Sequence, residues 1–261
     1  MKRISIALFI LIVTACQPAK AQFTAFVNSG RITFERKVNT FAAMQIFLKE
    51  TKQVPEDQLG MFMQKYRSSS PQFWTDSFEL FFDKTHSLYQ PQNPDIDFSK
   101  TFAIPVAYKN KVYSNFETKE VQTVKQAFEK SFFIKDSLKN IKWKLTDETR
   151  EIAGYQCRRA NALFFDSIYV IAFYTDEILT KGGPESFNGL PGMILGIAIP
   201  HQHITIFAKT VTGMDTAPTQ WKLPEQGKST LVNNKEFNAT TSKMLKQFGL
   251  TSPWVQFFMD L

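Results

Sequence analysis

The chain is expected to fold as a mainly β (α+β) protein, a curved antiparallel sheet or half-barrel carrying one to three short helices. Three observations predict this. Its 261 residues include 26 Phe, many alternating with polar residues instead of recurring at helical spacing. Strand-like segments in the second half follow one another across short connections, which favours antiparallel neighbours. Finally, Gly182–Gly196 (GGPESFNGLPGMILG) holds three turn signals: Gly183-Pro184, Asn188-Gly189 and Leu190-Pro191-Gly192-Met193. In the last, Pro191 presets φ and Gly192 supplies the positive φ of a type II turn. MILGIAI follows directly, apolar throughout, and reads as a strand buried on both faces.

Met1–Ala21 reads as an export signal, with Lys2 and Arg3 ahead of an apolar run, Ile4–Val13, too short to span a bilayer. Ala19-Lys20-Ala21 before Gln22 fits ordinary signal peptidase. Val13-Thr14-Ala15-Cys16 equally fits a lipobox that would leave Cys16 lipidated. The expected location is therefore periplasmic or secreted, with an outer-membrane lipoprotein as the alternative. Membrane attachment would come only through a lipid on Cys16. Cleavage after Ala21 lowers the formal charge of +7 by three, and no Lys/Arg run is long enough to point to nucleic acid. Cys157 is left without a disulfide partner in either case and reads as a small buried hydrophobe.

From Gln22 to Leu261 the expectation is a single β-rich domain. RITFERK (Arg31–Lys37) alternates as a strand, with Ile32, Phe34 and Arg36 on one face. Phe41–Lys65 has helical spacing and predicts one or two helices broken near Val54-Pro55. Phe73–Tyr89 reads as a hairpin turning at Asp83-Lys84-Thr85-His86, with Phe78, Leu80 and Phe82 on one face. Gln90–Lys100 has loop composition, and Lys111–Phe116 is a strand. Val121–Ile134 is ambiguous, beginning with helical spacing and ending in strand-like aromatics.

Ile141–Leu145 alternates and is expected to stop at a Thr146–Thr149 turn. Glu151–Leu163 resumes, with Gly154 marking a bulge or a close backbone approach. Ser167–Ile178, MILGIAI and ITIFAKTV are further strands. Glu236–Phe248 reads as a helix stopped by Gly249, ahead of a Pro253-Trp254 tail. The Phe41–Tyr66 region is expected to close over the half-barrel.

Between Trp143 and about Val211, WKL, ETREIAGYQCRRA, AFYTDEI and GGPESFNGLPGMILGI stand in an order that resembles the GLPGLI family of secreted or envelope proteins of the Bacteroidota. Met193 stands where the family name has Leu. The resemblance implies an envelope protein associated with outer-membrane transport systems, and it brings no catalytic residue with it.

Candidate chemistry is sparse. Gly183, Pro184, Phe187, Gly189, Leu190, Pro191 and Gly192 are the candidate ligand- or partner-binding residues, through a rigid loop presenting backbone amides. Arg159 joins them as an inward-facing guanidinium. Glu185, with Asp176 and Glu177, offers carboxylates for glycosidic acid–base work. His201 and His203 would share a face of an extended strand but lack a third metal donor. No metal, cofactor or catalytic residue is assigned.

These readings favour a non-enzymatic accessory or binding protein partnering an outer-membrane transporter or another envelope protein. The alternatives are a periplasmic carrier of a hydrophobic ligand, held on a Phe-rich concave face, and a hydrolase of peptide or glycan.

Overall fold

Alternation sets the first element. In β1 (Gly30–Asn39), Ile32, Phe34, Arg36 and Val38 are buried and point inward, as a two-residue side-chain period requires. Asn39 then ends the strand and caps the next helix, its side chain accepting from Ala42 N at 3.2 Å. Helix α1 (Thr40–Thr51) stops at Lys52 in the left-handed region, and α2 (Glu56–Ser69) restarts after Pro55. The structure, a computed structural model, describes residues 27–95, 109–128, 130–164, 168–214 and 221–261. The Met1–Ala21 segment with Cys16, and 96–100 of the expected Gln90–Lys100 loop, lie outside them.

Strands β2 (Phe73–Phe82) and β3 (His86–Pro91) form the expected hairpin. The Asp83 carboxylate accepts from the backbone N–H of Thr85 at 2.8 Å and of His86 at 2.7 Å and shapes the turn. After β4 (Lys111–Asn115), the ambiguous segment resolves into two antiparallel strands, β5 (Glu120–Ala127) and β6 (Lys130–Ser137). Its β-branched and aromatic residues gain more as a pleated, half-buried surface than its helix-like spacing offers.

A second meander follows: β7 (Lys144–Ile152), β8 (Tyr155–Phe164), β9 (Ile168–Thr175), β10 (Met193–Ile199) and β11 (Ile204–Gly213). The chain closes with β12 (Thr230–Val232), α3 (Asn234–Gln247) and α4 (Pro253–Asp260). All twelve strands form one sheet, ordered β12-β6-β5-β4-β3-β2-β1-β11-β10-β9-β8-β7. Among the described residues the fold is mainly β, one curved open sheet with four short helices. Pairing of β1 with β11, from Gly30↔Gly213 to Val38↔Ile204, joins the two meanders. Among the described strands only β12 runs parallel to its neighbour, β6.

Several local expectations are corrected. Thr146–Thr149 is no turn; β7 runs through it with a register shift between Leu145 and Thr149. The chain reverses instead at Ala153-Gly154, where φ is 52° and 84°, the two positive values a tight hairpin requires. A Cβ on Gly154 would meet nothing within 4 Å, so no close approach occurs there. The Pro253-Trp254 tail is a helix, started by Pro253 and capped by Ser252 Oγ, which accepts from Trp254 N.

That last helix fills the curl of the sheet. Trp254, Val255, Phe257, Phe258 and Met259 are all buried. Trp254 packs on Phe47 of α1, and Phe257 on Phe164 of β8. Ser252 Oγ donates to Glu50 of α1 at 2.8 Å, and Trp254 Nε1 donates to the His201 carbonyl at 3.2 Å. The inner face is thus lined by the protein's own aromatic side chains, with α4 as well as α1 packed against it.

The glycine-rich stretch carries its expected strand: β10 is buried at every residue except Ala198. The type II turn before it does not form. Gly192 N–H donates to Leu190 O at 2.8 Å, and Met193 N–H donates instead to Ile178 O at 3.0 Å. Gly192 is required by contact: a Cβ there would lie 2.0 Å from the Thr175 carbonyl oxygen, at a φ of +151°. Gly192→Val is therefore expected to cost at least about 3 kcal/mol, lowering Tm by roughly 6–12 °C. Gly154→Ala meets only its φ and is expected to cost about 1 kcal/mol. Thermal unfolding of the two variants checks the contrast; equal losses would show that the close approach of Gly192 is not what matters.

Candidate functional site

The inner face is not wholly apolar. Arg36 occupies a core position of β1, directly across from Asp76 of β2. Its guanidinium lies 3.1 Å from Asp76 Oδ2 and 3.8 Å from Glu185 Oε1, and 4.8 Å above the Phe78 ring. Glu185 comes from the Gly182–Gly196 stretch, 3% exposed and with a φ of 53°. Its Oε2 accepts from Asn110 Nδ2 at 2.9 Å. A buried carboxylate on a left-handed residue is doubly unfavourable, about 1–2 kcal/mol for the backbone alone. Gly183 makes the placement feasible, because a Cβ there would stand 2.7 Å from the Ile194 Cβ.

Burial pushes the Glu185 carboxyl above its ordinary pKa, against the opposing pull of Arg36, Asn110, Lys125 and Lys139. Tyr89, stacked on Phe78 at 4.9 Å, has its hydroxyl buried without a hydrogen bond among the described residues. Burial first, and then the Glu185 charge, raises its pKa well above the usual range.

Beside this row lies a cavity of about 260 Å³. It is built where the curl brings β5 and β6 near the end of β8, under α3 and α4. Phe164, Phe187, Phe237 and Phe257 supply apolar walls; Lys125, Lys139, Asn234, Asn238, Ser186 and Asp260 supply the polar groups. Lys125 Nζ donates to Met259 O and Lys139 Nζ to Asp260 O, each at 2.9 Å. Two cations thus satisfy the last carbonyls of α4, where the helix dipole favours positive charge.

Burial, and then Lys139, pull the Lys125 pKa down to about 8; burial also lowers that of Lys139. Asp260 shifts the opposite way. Burial raises it, against the pull of Lys139, Lys125 and the Gln256 and Asn238 amides. Both its carboxylate oxygens are buried, and among the described residues neither meets a donor at full hydrogen-bonding geometry. Carboxyls pushed up beside an amine pushed down is the arrangement that general acid–base chemistry uses near neutral pH.

The expected residues are only partly gathered here. Phe187 walls the cavity and touches Phe164 at 5.7 Å. Gly183, Pro184, Leu190 and Gly192 are buried supports of the loop, while Gly189 and Pro191 are exposed. The Asn188 carbonyl accepts from Trp143 Nε1 at 2.8 Å. Arg159 stands on the opposite face of β8 from Phe164; its Nε donates to Asn161 at 3.0 Å and its Nη1 pairs with Glu148.

His201 and His203 do not share a strand face, because Pro200–Gln202 is a 3-10 turn and His203 has a φ of 56°. Among the described residues no group of three or more His, Cys, Asp or Glu is placed to hold a metal ion. Lys125, Lys139, Asp76, Asn110 and Asp260 were not singled out from sequence. The available signal was phase: Lys125 shares the buried face of Val121, Thr123 and Ala127.

Two measurements follow. Cys157 is fully buried and its thiol is pushed up to about 12 by burial and then Glu177. Native protein should therefore resist a thiol-specific disulfide reagent at pH 8, and unfolded protein should react at once. For Lys125, the folded pKa is about 8 and the unfolded one about 10.4. Between them the unfolded state binds the extra proton, so this group makes stability rise with pH. Cys157 works the other way above about pH 9, so the comparison is with Lys125→Met. From pH 8 to 10 the wild type should gain roughly 2 kcal/mol relative to that variant in denaturant titrations.

Residues 99–235, slightly over half of the chain, match the family described as N-glycanase peptide, N-terminal domain, of PNGase F-II. That span includes Lys125, Lys139, Phe164, Glu185, Phe187 and Asn234. Among solved structures, two crystal forms of PNGF-II are similar, with TM-scores of 0.51 and 0.50 and 14% identity. The alignments cover 83% and 84% of this chain but only 33% of the solved chains. At that identity the likeness is one of fold, and this chain spans about a third of the PNGF-II length. No curated protein matches the sequence. The family match overturns the GLPGLI resemblance and, with it, the non-enzymatic accessory to an outer-membrane transporter; short Gly, Pro and Leu words follow turn and packing needs that unrelated chains share. The chain belongs to the PNGase F-II N-terminal domain family.

Proposed function

We propose that this chain takes part in hydrolysis of N-linked glycans, with the cavity under α3 and α4 as its site. The observation that carries this reading is Asp260: a residue with a buried carboxyl, raised in pKa, at the lining of a cavity of about 260 Å³ with four Phe walls. Phenyl faces suit the apolar faces of sugar rings, and the Asn234 and Asn238 amides suit their hydroxyls. Asp260 serves as the proton donor to the leaving atom, since burial keeps it protonated to higher pH than a free carboxyl. Lys125 and Lys139 hold the α4 end, and so Asp260, in place. Family membership supports the substrate class, and export through the Met1–Ala21 segment would bring the chain to glycoproteins outside the cytoplasm.

The test is mass spectrometry of an N-glycosylated peptide incubated with the full chain. Wild type should release the glycan, and Asp260→Asn should slow release by at least about 100-fold with its thermal unfolding unchanged. Absence of release by the wild type, or full activity in Asp260→Asn, would overturn the assignment.

A further inference from the structure

The cavity is out of electrostatic balance. Glu185 uses one oxygen on Asn110 at 2.9 Å and directs the other toward Arg36 at 3.8 Å. Asp76 faces Arg36 at 3.1 Å and Lys109 at 4.0 Å. Among the described residues, neither Lys125 nor Lys139 forms an ion pair with a carboxylate. Each ammonium gives one bond to a helix carbonyl, which leaves two of its three donors. Among the described residues Asp260 is the one acidic residue lining the cavity, and burial of its carboxyl favours the protonated form.

Among the described residues Glu185 and Asp260 act on these two cations only from beyond ion-pair distance, and two enclosed cations so weakly compensated are stabilised when an anion meets them. The aromatic walls narrow the choice of anion. Phe164, Phe187, Phe237 and Phe257 would leave a bare inorganic ion without contact over most of its surface, whereas a sugar ring would cover them. The volume suits one ring.

Resting on the glycan reading above, we propose that this cavity selects an acidic monosaccharide unit, whose carboxylate bridges Lys125 and Lys139 while its ring lies against the phenyl walls. Asn234 and Asn238 then meet ring hydroxyls. Specificity arises from the pair of ammonium groups, since a neutral sugar leaves them uncompensated.

The groups that face Lys125 are Lys139, Glu185 and Asp260, so its charge is most easily lost above about pH 8. Binding of an anion needs that charge, and affinity should fall as pH rises. The experiment is calorimetric titration of the full chain at pH 7 and pH 9 with glucuronic acid, N-acetylneuraminic acid, glucose and acetate. At pH 7 at least one acidic sugar is expected to bind at least tenfold more tightly than glucose or acetate, with about a tenfold loss by pH 9. Lys125→Met should abolish the preference for acid while glucose binding persists.

Glucose binding as tightly as the acids, or acid affinity unchanged between the two pH values, would overturn the proposal. Acetate matching the sugars would remove the ring from it and overturn it equally. The wild-type pH comparison holds even if Lys125→Met fails to fold. Because the readout is occupancy without cleavage, glycan release with no acid preference sinks this inference alone; acid-selective binding with no release sinks only the hydrolytic reading.

Discussion

Two ammonium groups holding the carbonyls of Met259 and Asp260 are the constraint on which the interior depends. A curled sheet of this kind leaves a concave face that must be filled. Here a helix of only eight residues fills it, carrying the buried aromatic side chains of Trp254, Phe257 and Phe258. Such a short helix has little stability of its own, so its position rests on what grips its ends. Ser252 secures the first turn to α1 through Glu50; Lys125 and Lys139 secure the last. The second of these grips requires charge inside the protein, which is where structure and chemistry meet. The arrangement that anchors the plug also creates a charged recess beside it.

The same economy operates along the glycine-rich stretch. Its residues were legible as turn formers, and most serve that purpose: Gly183 and Gly192 stand where a methyl group would collide with a neighbour. What they achieve is more specific than a change of direction. Gly183 lets the chain press against β10 and Gly192 against the end of β9, close enough for Glu185 to enter the interior. A loop that looks like a folding device therefore also delivers a carboxylate, and the two descriptions are one.

The strands were legible wherever polar and apolar residues alternate cleanly, as in β1, β2 and β10, because a two-residue period has one structural meaning. The helices α1 and α2 were legible from spacing and from Pro55. The ends of β7 were not, since an exposed edge strand with mixed polarity has no buried face to impose a period. The α4 tail hid its helix because eight residues make barely two turns, too short a stretch for a helical period to declare itself. Within the site, Glu185 and Phe187 were visible as members of a marked stretch. Lys125 and Asp260 lie 135 positions apart in the numbering, and only the curl of the sheet brings them together. Family membership was misread for a related reason: turn words are dictated by backbone geometry, so they identify a bend more securely than a lineage.

The pairing of β1 with β11 has a consequence in time. The register begins at Gly30 with Gly213 and joins strands at opposite ends of the sequence. Closing so long a loop is entropically costly and slow. During synthesis the first meander leaves the ribosome with β1 as a bare edge, its amides and carbonyls open to any passing strand. It stays so until the chain has grown from Asn39 to Gly213, on the order of ten seconds or more at ordinary elongation rates. The two meanders are therefore joined along the middle of the sheet only late, with just the short edge strand β12 still to come, and the vulnerable interval of this protein's life falls before its centre is sealed.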